Sequence, residues 1–226
     1  MSPGDKRSRI LVVVGMTREA KILDGPEALI GGGDAAALAD RLEAELSQGA
    51  AGVVSFGLCG ALTRELKVGD LVLGEAAVDA ETFPTDPRWM ERVAAALPDA
   101  AHGRFAWARR PVATAKDKAE TRERTGAVAV DLESFVAGRF ARKYAVPFAI
   151  VRAVSDAADR TLPHAAQVGL GSDGRPAIFA VLASLRDNPW QIGGLVRTAL
   201  EAEDGFHALE RARQALGPRL AGPGAA

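Results

Sequence analysis

Pro147-Phe-Ala-Ile-Val-Arg-Ala-Val-Ser-Asp156 decides how this chain folds. Pro147 to Val154 reads as a strand, with Ser155-Asp156 at its end. Just before it, Ser134 to Tyr144 reads as a helix, because Phe135, Val136, Phe140 and Ala141 lie near helical spacing. Further back, Ala127 to Val130 is a short strand running into Asp131-Leu-Glu133. Gly52 to Phe56 is a buried strand followed directly by Gly57-Leu-Cys-Gly60. Ile10 to Val14, closed by Gly15, is apolar on both faces, as a buried parallel strand is. Helices are expected over Thr17–Leu23, stopped by Asp24-Gly-Pro26, over Ala35–Leu46 with Asp34 as N-cap, and over Arg88–Leu97. Asp70 to Leu73 reads as a third strand, Phe83 to Pro87 as a loop and Pro111 to Thr114 as a strand end; the chain beyond about Pro176 is mostly helical. Strands alternating with helices predict an α/β fold with a central mixed, mostly parallel sheet flanked by helices. One domain, residues 10–216, is expected between a loose leader, 1–9, and a flexible Gly/Pro/Ala tail, 217–226.

Composition narrows the function. The 226 residues carry 28 Lys+Arg and 29 Asp+Glu, so no basic excess points to nucleic acid. A single cysteine, Cys59, forms no intramolecular disulfide, which fits a reducing cytoplasm. No apolar run approaches the roughly 20 residues that span a bilayer. The three histidines, His102, His164 and His207, lie far apart and show no metal-ligand spacing, so no metal is expected. Walker and G-x-G-x-x-G loops are absent from the sequence.

In open α/β sheets ligands gather at the carboxyl ends of strands. Four strand ends here suit that role: Gly15-Met-Thr-Arg-Glu19, Gly57-Leu-Cys-Gly60, Asp131-Leu-Glu133 and Ser155-Asp156. These blocks, with Val68-Gly-Asp-Leu-Val72, resemble the superfamily of purine nucleoside phosphorylases and methylthioadenosine/adenosylhomocysteine nucleosidases. The resemblance runs from about Ile10 to Asp159. Leu162-Pro163, Asp173-Gly-Arg-Pro176 and the stretch from Leu185 to Leu200 add a narrower likeness to hopanoid-associated phosphorylases, which remove adenine from adenosylhopane.

The resemblance implies roles. Asp156 protonates or hydrogen-bonds the leaving purine, oriented by Ser155; general acid help is worth on the order of 100- to 10,000-fold. Without the resemblance, Asp156 reads as a cap of the segment that follows. Glu133 binds the ribose hydroxyls and favours the developing sugar cation, with Leu132 beside it and Asp131 as a further sugar contact. Glu19 falls where the nucleosidases activate water. Gly15 and Arg18 fall where the phosphorylases hold phosphate, since a guanidinium suits phosphate oxygens. Both sets are present, so water and phosphate stay open as acceptors, and phosphate as co-substrate follows the subfamily likeness. Gly57 and Gly60 allow close backbone approach and tight turning after the strand. Leu58 stands where the superfamily commonly has a serine, which makes the site more apolar. Cys59 reads as a small buried hydrophobe and His164 as a surface histidine.

The expected activity is therefore cleavage of a purine N-glycosidic bond without a cofactor, adenosylhopane with phosphate being the sharper form. Rivals are a water-using nucleosidase for a small adenine nucleoside and a non-catalytic purine-binding protein. The partner is a small-molecule or lipid-linked nucleoside, the assembly a homo-oligomer, and the location the cytoplasm or the membrane surface. Phe83, Pro84, Pro87, Trp89, Phe105 and Trp107 are expected to line an apolar groove on the sugar side; core or subunit-interface packing is the alternative for these rings.

Overall fold

The computed structural model describes residues 9–23, 28–163 and 191–223. Among the described residues, eight strands form one mixed sheet: β1 (Ile10–Val14), β2 (Ala28–Ile30), β3 (Gly52–Ala61), β4 (Leu71–Val78), β5 (Thr82–Pro84), β6 (Ala101–Trp107), β7 (Ala129–Asp131) and β8 (Phe148–Asp156). The described helices are α1 (Thr17–Ile22), α2 (Ala35–Leu46), α3 (Pro87–Ala96), α4 (Ala115–Thr125), α5 (Ser134–Lys143) and α6 (Gln191–Leu216). The strand path runs β2-β1-β3-β7-β6-β4-β5, and β8 pairs with both β3 and β4. Hydrogen bonding therefore returns on itself through β3, β8, β4, β6 and β7. The β1–β3 and β3–β8 pairs are parallel; β8 runs antiparallel to β4, and β7 antiparallel to β3.

Burial follows the apolar pattern. All five residues of β1 are buried, as its β-branched run requires. One face of the sheet packs against α2 and α5 through Leu38, Leu42, Leu46, Val136 and Phe140. The other packs against α3 and α6 through Trp89, Val93, Phe206, Leu209 and Leu216. Full burial of each such large side chain favours folding by about 1.5–3 kcal/mol. Asp34 accepts from the Ala36 and Ala37 amides and starts α2 at the expected residue.

Several expectations change. Gly57-Leu-Cys-Gly60 is not a turn: β3 continues through it to Ala61, since β7 and β8 supply partners for its backbone. The β3–β8 register slips between Cys59 and Gly60, which sets Gly60 opposite Asp156. Pro111 to Thr114 belongs to no strand; the strand lies earlier, at β6, and α4 follows. Phe83 to Pro87 is not wholly loop, because β5 and the first residue of α3 occupy its ends. The tail is not loose between 217 and 223. Leu220 is buried, and its carbonyl accepts from the Trp89 indole at 2.9 Å, while Arg92 donates to the Ala221 carbonyl at 2.9 Å.

Candidate active site

The carboxyl ends of β1, β3 and β8 and the β7–α5 junction surround one cleft, about 680 Å³ including its open mouth. Four carboxylate residues line it: Glu19, Asp131, Glu133 and Asp156. Each is buried, at 8% exposure or less. Three of them press against glycine. A Cβ on Gly57 would lie 2.6 Å from a Glu19 oxygen, one on Gly31 2.6 Å from Glu133 Cγ, and one on Gly60 3.0 Å from Asp156 Oδ2. The glycines of the strand ends thus make room for acids rather than for a turn.

Glu19 is held by backbone. It accepts from the Gly15 amide at 2.6 Å, the Met16 amide at 2.8 Å and the Leu58 amide at 2.7 Å. Burial pushes its carboxyl up, opposed by Arg152 and by these three N–H groups. Arg152, on β8, is the hub the sequence reading gave no role. Its guanidinium donates to Ser55 Oγ at 2.6 Å, to Glu133 at 3.1 Å and to the Leu58 carbonyl at 3.1 Å, and its Nε faces Asp131 at 3.1 Å. Burial alone would lower its pKa; Asp131, Glu133 and Glu19 raise it above the ordinary arginine value. One fixed cation among three acids leaves the cluster short of positive charge. Burial therefore pushes Glu133 up to about 7, with Arg152 opposing and Asp131 and Glu19 assisting. The signal available in the sequence was an arginine in the middle of an otherwise apolar strand. Such a residue needs buried acids around it.

Asp156 lines the cleft from the end of β8. Ser155 Oγ lies 2.9 Å from its Oδ1, as expected of an orienting hydroxyl. Its other oxygen is bonded by Lys118 of α4, which also donates to the Ala157 carbonyl at 2.6 Å. Lys118 is fully buried. Nothing in Ala115-Lys-Asp-Lys-Ala119 sets it apart from exposed Lys116, so the sequence reading missed it.

Other expected site residues are placed differently. Arg18 does not line the cleft; it pairs with Glu203 and lies 4.0 Å from the centre of the Phe206 ring, drawn to α6 by charge and stacking. The Gly15 amide is spent on Glu19. Asp131 ties down the approach to α5: Oδ1 accepts from the Glu133 and Ser134 amides at 3.1 and 2.9 Å, and Oδ2 takes the Ser134 hydroxyl and faces Arg152. These bonds fill the positions a sugar hydroxyl would take. Leu58 borders the cleft, but its side chain reaches α6, where a Cβ on Gly205 would meet it at 2.7 Å; its amide and carbonyl serve Glu19 and Arg152. Leu132 lines the cleft and accepts the Trp107 indole N–H at 3.0 Å. Cys59 is buried, and burial keeps its thiol well above the usual range.

The ring-lined groove is corrected. Phe83, Trp89 and Phe105 are buried in the core, and Trp107 stacks on Phe135 away from the cleft. Rings of that area gain more from the core than from an open groove. His164 and Asp173 to Pro176 lie outside the described residues. Among the described residues no group of three His, Cys, Asp or Glu side chains could hold a metal ion, and no helix is long and apolar enough to cross a membrane.

Residues 10–185 match the family model described as the phosphorylase superfamily. No curated protein sequence matches the chain. Among solved structures, the 5′-methylthioadenosine/S-adenosylhomocysteine nucleosidase of Helicobacter pylori superposes with a TM-score of 0.68 at 14% identity, covering 93% of this chain and 98% of that one. The futalosine hydrolase of H. pylori strain 26695 gives 0.63 at 14% identity, over 92% and 97%. The S-adenosylhomocysteine nucleosidase of Streptococcus pyogenes gives 0.57 at 18% identity, over 86% and 96%. At these identities the likeness is one of fold.

Proposed function

The chain belongs to the phosphorylase superfamily, and on that footing we propose that it cleaves the N-glycosidic bond of a purine nucleoside in this cleft, with water as the acceptor. The observation that carries the reading is that three separate buried acids, Glu19, Glu133 and Asp156, line one cavity. Bond breaking puts positive charge on the ribose and negative charge on the purine. Glu133, turned to the cleft from the start of α5, meets the sugar and stabilises its cation. Asp156 meets the ring nitrogen of the leaving base. Glu19, fixed by three amides, takes a proton from the attacking water.

Water is favoured over phosphate by the cations. Among the described residues lining the cleft, Arg152 is occupied by Asp131, Glu133 and Ser55. Lys118 is occupied by Asp156 and the Ala157 carbonyl, and Arg18 by Glu203. A phosphate would meet carboxylates without a free partner. The adenosylhopane form of the reaction rests on the motif resemblance, because the rings counted toward its groove are in the core.

The test is adenine release from adenosine, 5′-methylthioadenosine and a 5′-alkyl adenosine, each with and without phosphate. Free sugar and a rate indifferent to phosphate are expected. Glu19→Gln should lose most turnover. Arg18→Ala should change it only a few-fold, as an exposed ion pair is worth about 0–1 kcal/mol. Sugar 1-phosphate as product, with Arg18→Ala the severe variant, would overturn the water reading. A strong preference for the 5′-alkyl substrate would restore the lipid-linked one.

A further inference from the structure

Asp156 is the acid on the base side of the cleft, yet the structure shows it bonded to a cation. Lys118 reaches it from α4, a helix whose other described charged residues face outward. Its Nζ bonds Asp156 Oδ2 and donates to the Ala157 carbonyl at 2.6 Å. Both Asp156 oxygens are engaged as acceptors, one of the Lys118 ammonium and one of the Ser155 hydroxyl, so each bonded hydrogen belongs to a neighbour. The leaving purine still needs a proton. Of the two donors bonded to Asp156, the Lys118 ammonium is the acidic one, one hydrogen bond from the carboxyl that meets the base.

We propose that Lys118 is the positioning residue and proton source behind Asp156 in purine release. This rests on the proposed cleavage reaction. In the step, the C1′–N9 bond breaks with its electron pair going to the purine. The purine N7 takes a proton from Asp156, and Asp156 takes one from Lys118, leaving a neutral amine. The attacking water gives its proton to Glu19. After both products leave, that proton returns to the Lys118–Asp156 pair through water filling the cleft, so no net proton is gained or lost. Lysine suits this role because an ammonium can pass a proton to a bonded carboxylate, whereas a guanidinium stays protonated. The bond to the Ala157 carbonyl anchors the amine in both states and holds Asp156 at the slip between β3 and β8.

The test compares two leaving groups on the same enzyme preparations. Adenosine needs a proton on its base; 4-nitrophenyl β-D-riboside releases a phenolate that needs none. Lys118→Met and Lys118→Gln should lower kcat for adenosine on the order of 100-fold, the size of general acid help. Both should leave KM nearly unchanged and alter 4-nitrophenyl riboside cleavage less than about fivefold, since no proton is required. The ratio of the two rates is independent of how much of each variant is folded. Equal losses on both substrates would make Lys118 merely structural and overturn the proposal, as would unchanged adenosine turnover. A wild-type protein that cleaves neither riboside would overturn the cleavage reaction itself, and this inference with it.

Discussion

Asp156 and Glu133 both line the cleft, and each is distinguished by the cation beside it, Lys118 for the one and Arg152 for the other. Asp156→Asn preserves size and the Ser155 contact but removes the carboxyl proposed to pass a proton to the base. Turnover should fall on the order of 100- to 10,000-fold, and the melting temperature should drop as well, because the buried Lys118 ammonium loses its partner. Near wild-type kcat would take Asp156 out of the reaction. Glu133 is different because its charge depends on pH in the neutral range. Its carboxyl, pushed up to about 7, is half-ionised there. An analogue with a cationic sugar ring should therefore bind more tightly as pH rises through about 7, and Glu133→Gln should abolish that dependence. Calorimetric titration across pH 6 to 8 reads this directly, and a flat wild-type profile would contradict it.

At the scale of elements, the β3–β8 pair sets the site. Its parallel register from Val53↔Phe148 to Cys59↔Val154 carries Arg152 in beside Leu58, and the slip at Gly60 brings Asp156 against glycine. The end of β3 tolerates no side chain at Gly57, where a Cβ would stand 2.6 Å from a Glu19 oxygen that three amides hold in place. Gly57→Ala should destabilise the fold by about 1–3 kcal/mol, the usual range for overpacking, and weaken activity by displacing Glu19. Denaturant melts and turnover measured together check this; an alanine variant as stable and active as wild type would show that β3 yields easily.

For the whole molecule, the acid cluster predicts how stability varies with pH. Glu133 has a folded pKa above its ordinary value of 4.5, so the stability it contributes is fully present below about 4.5 and lost as pH rises through about 7. Glu19 is shifted in the same direction by burial. Wild type should therefore lose melting temperature relative to Glu133→Gln between about pH 4.5 and 7, and hold a constant difference above that. A difference that stays constant through this window would show that Glu133 is already ionised at its lower end. The clustering is also why function and stability compete here. Buried acids suited to a sugar cation also repel one another, as Asp131 and Glu19 do Glu133.

Much of this protein is determined by local sequence. The β-branched run of β1, the Asp34 cap of α2 and the strand ending in Ser155-Asp156 are settled by neighbours a few residues away, and so the α/β architecture was legible. The positions of Glu19, Glu133 and Asp156 at strand or helix ends were legible for the same reason. What tertiary structure decided is which charges meet. Arg152 finds Glu133 and Asp131 across three elements; Lys118 finds Asp156 across 38 residues of chain; Arg18 turns away to Glu203 185 residues on. A lysine or arginine carries no local mark of its eventual partner, because the energy that selects the pair arises only when folding takes both groups out of water.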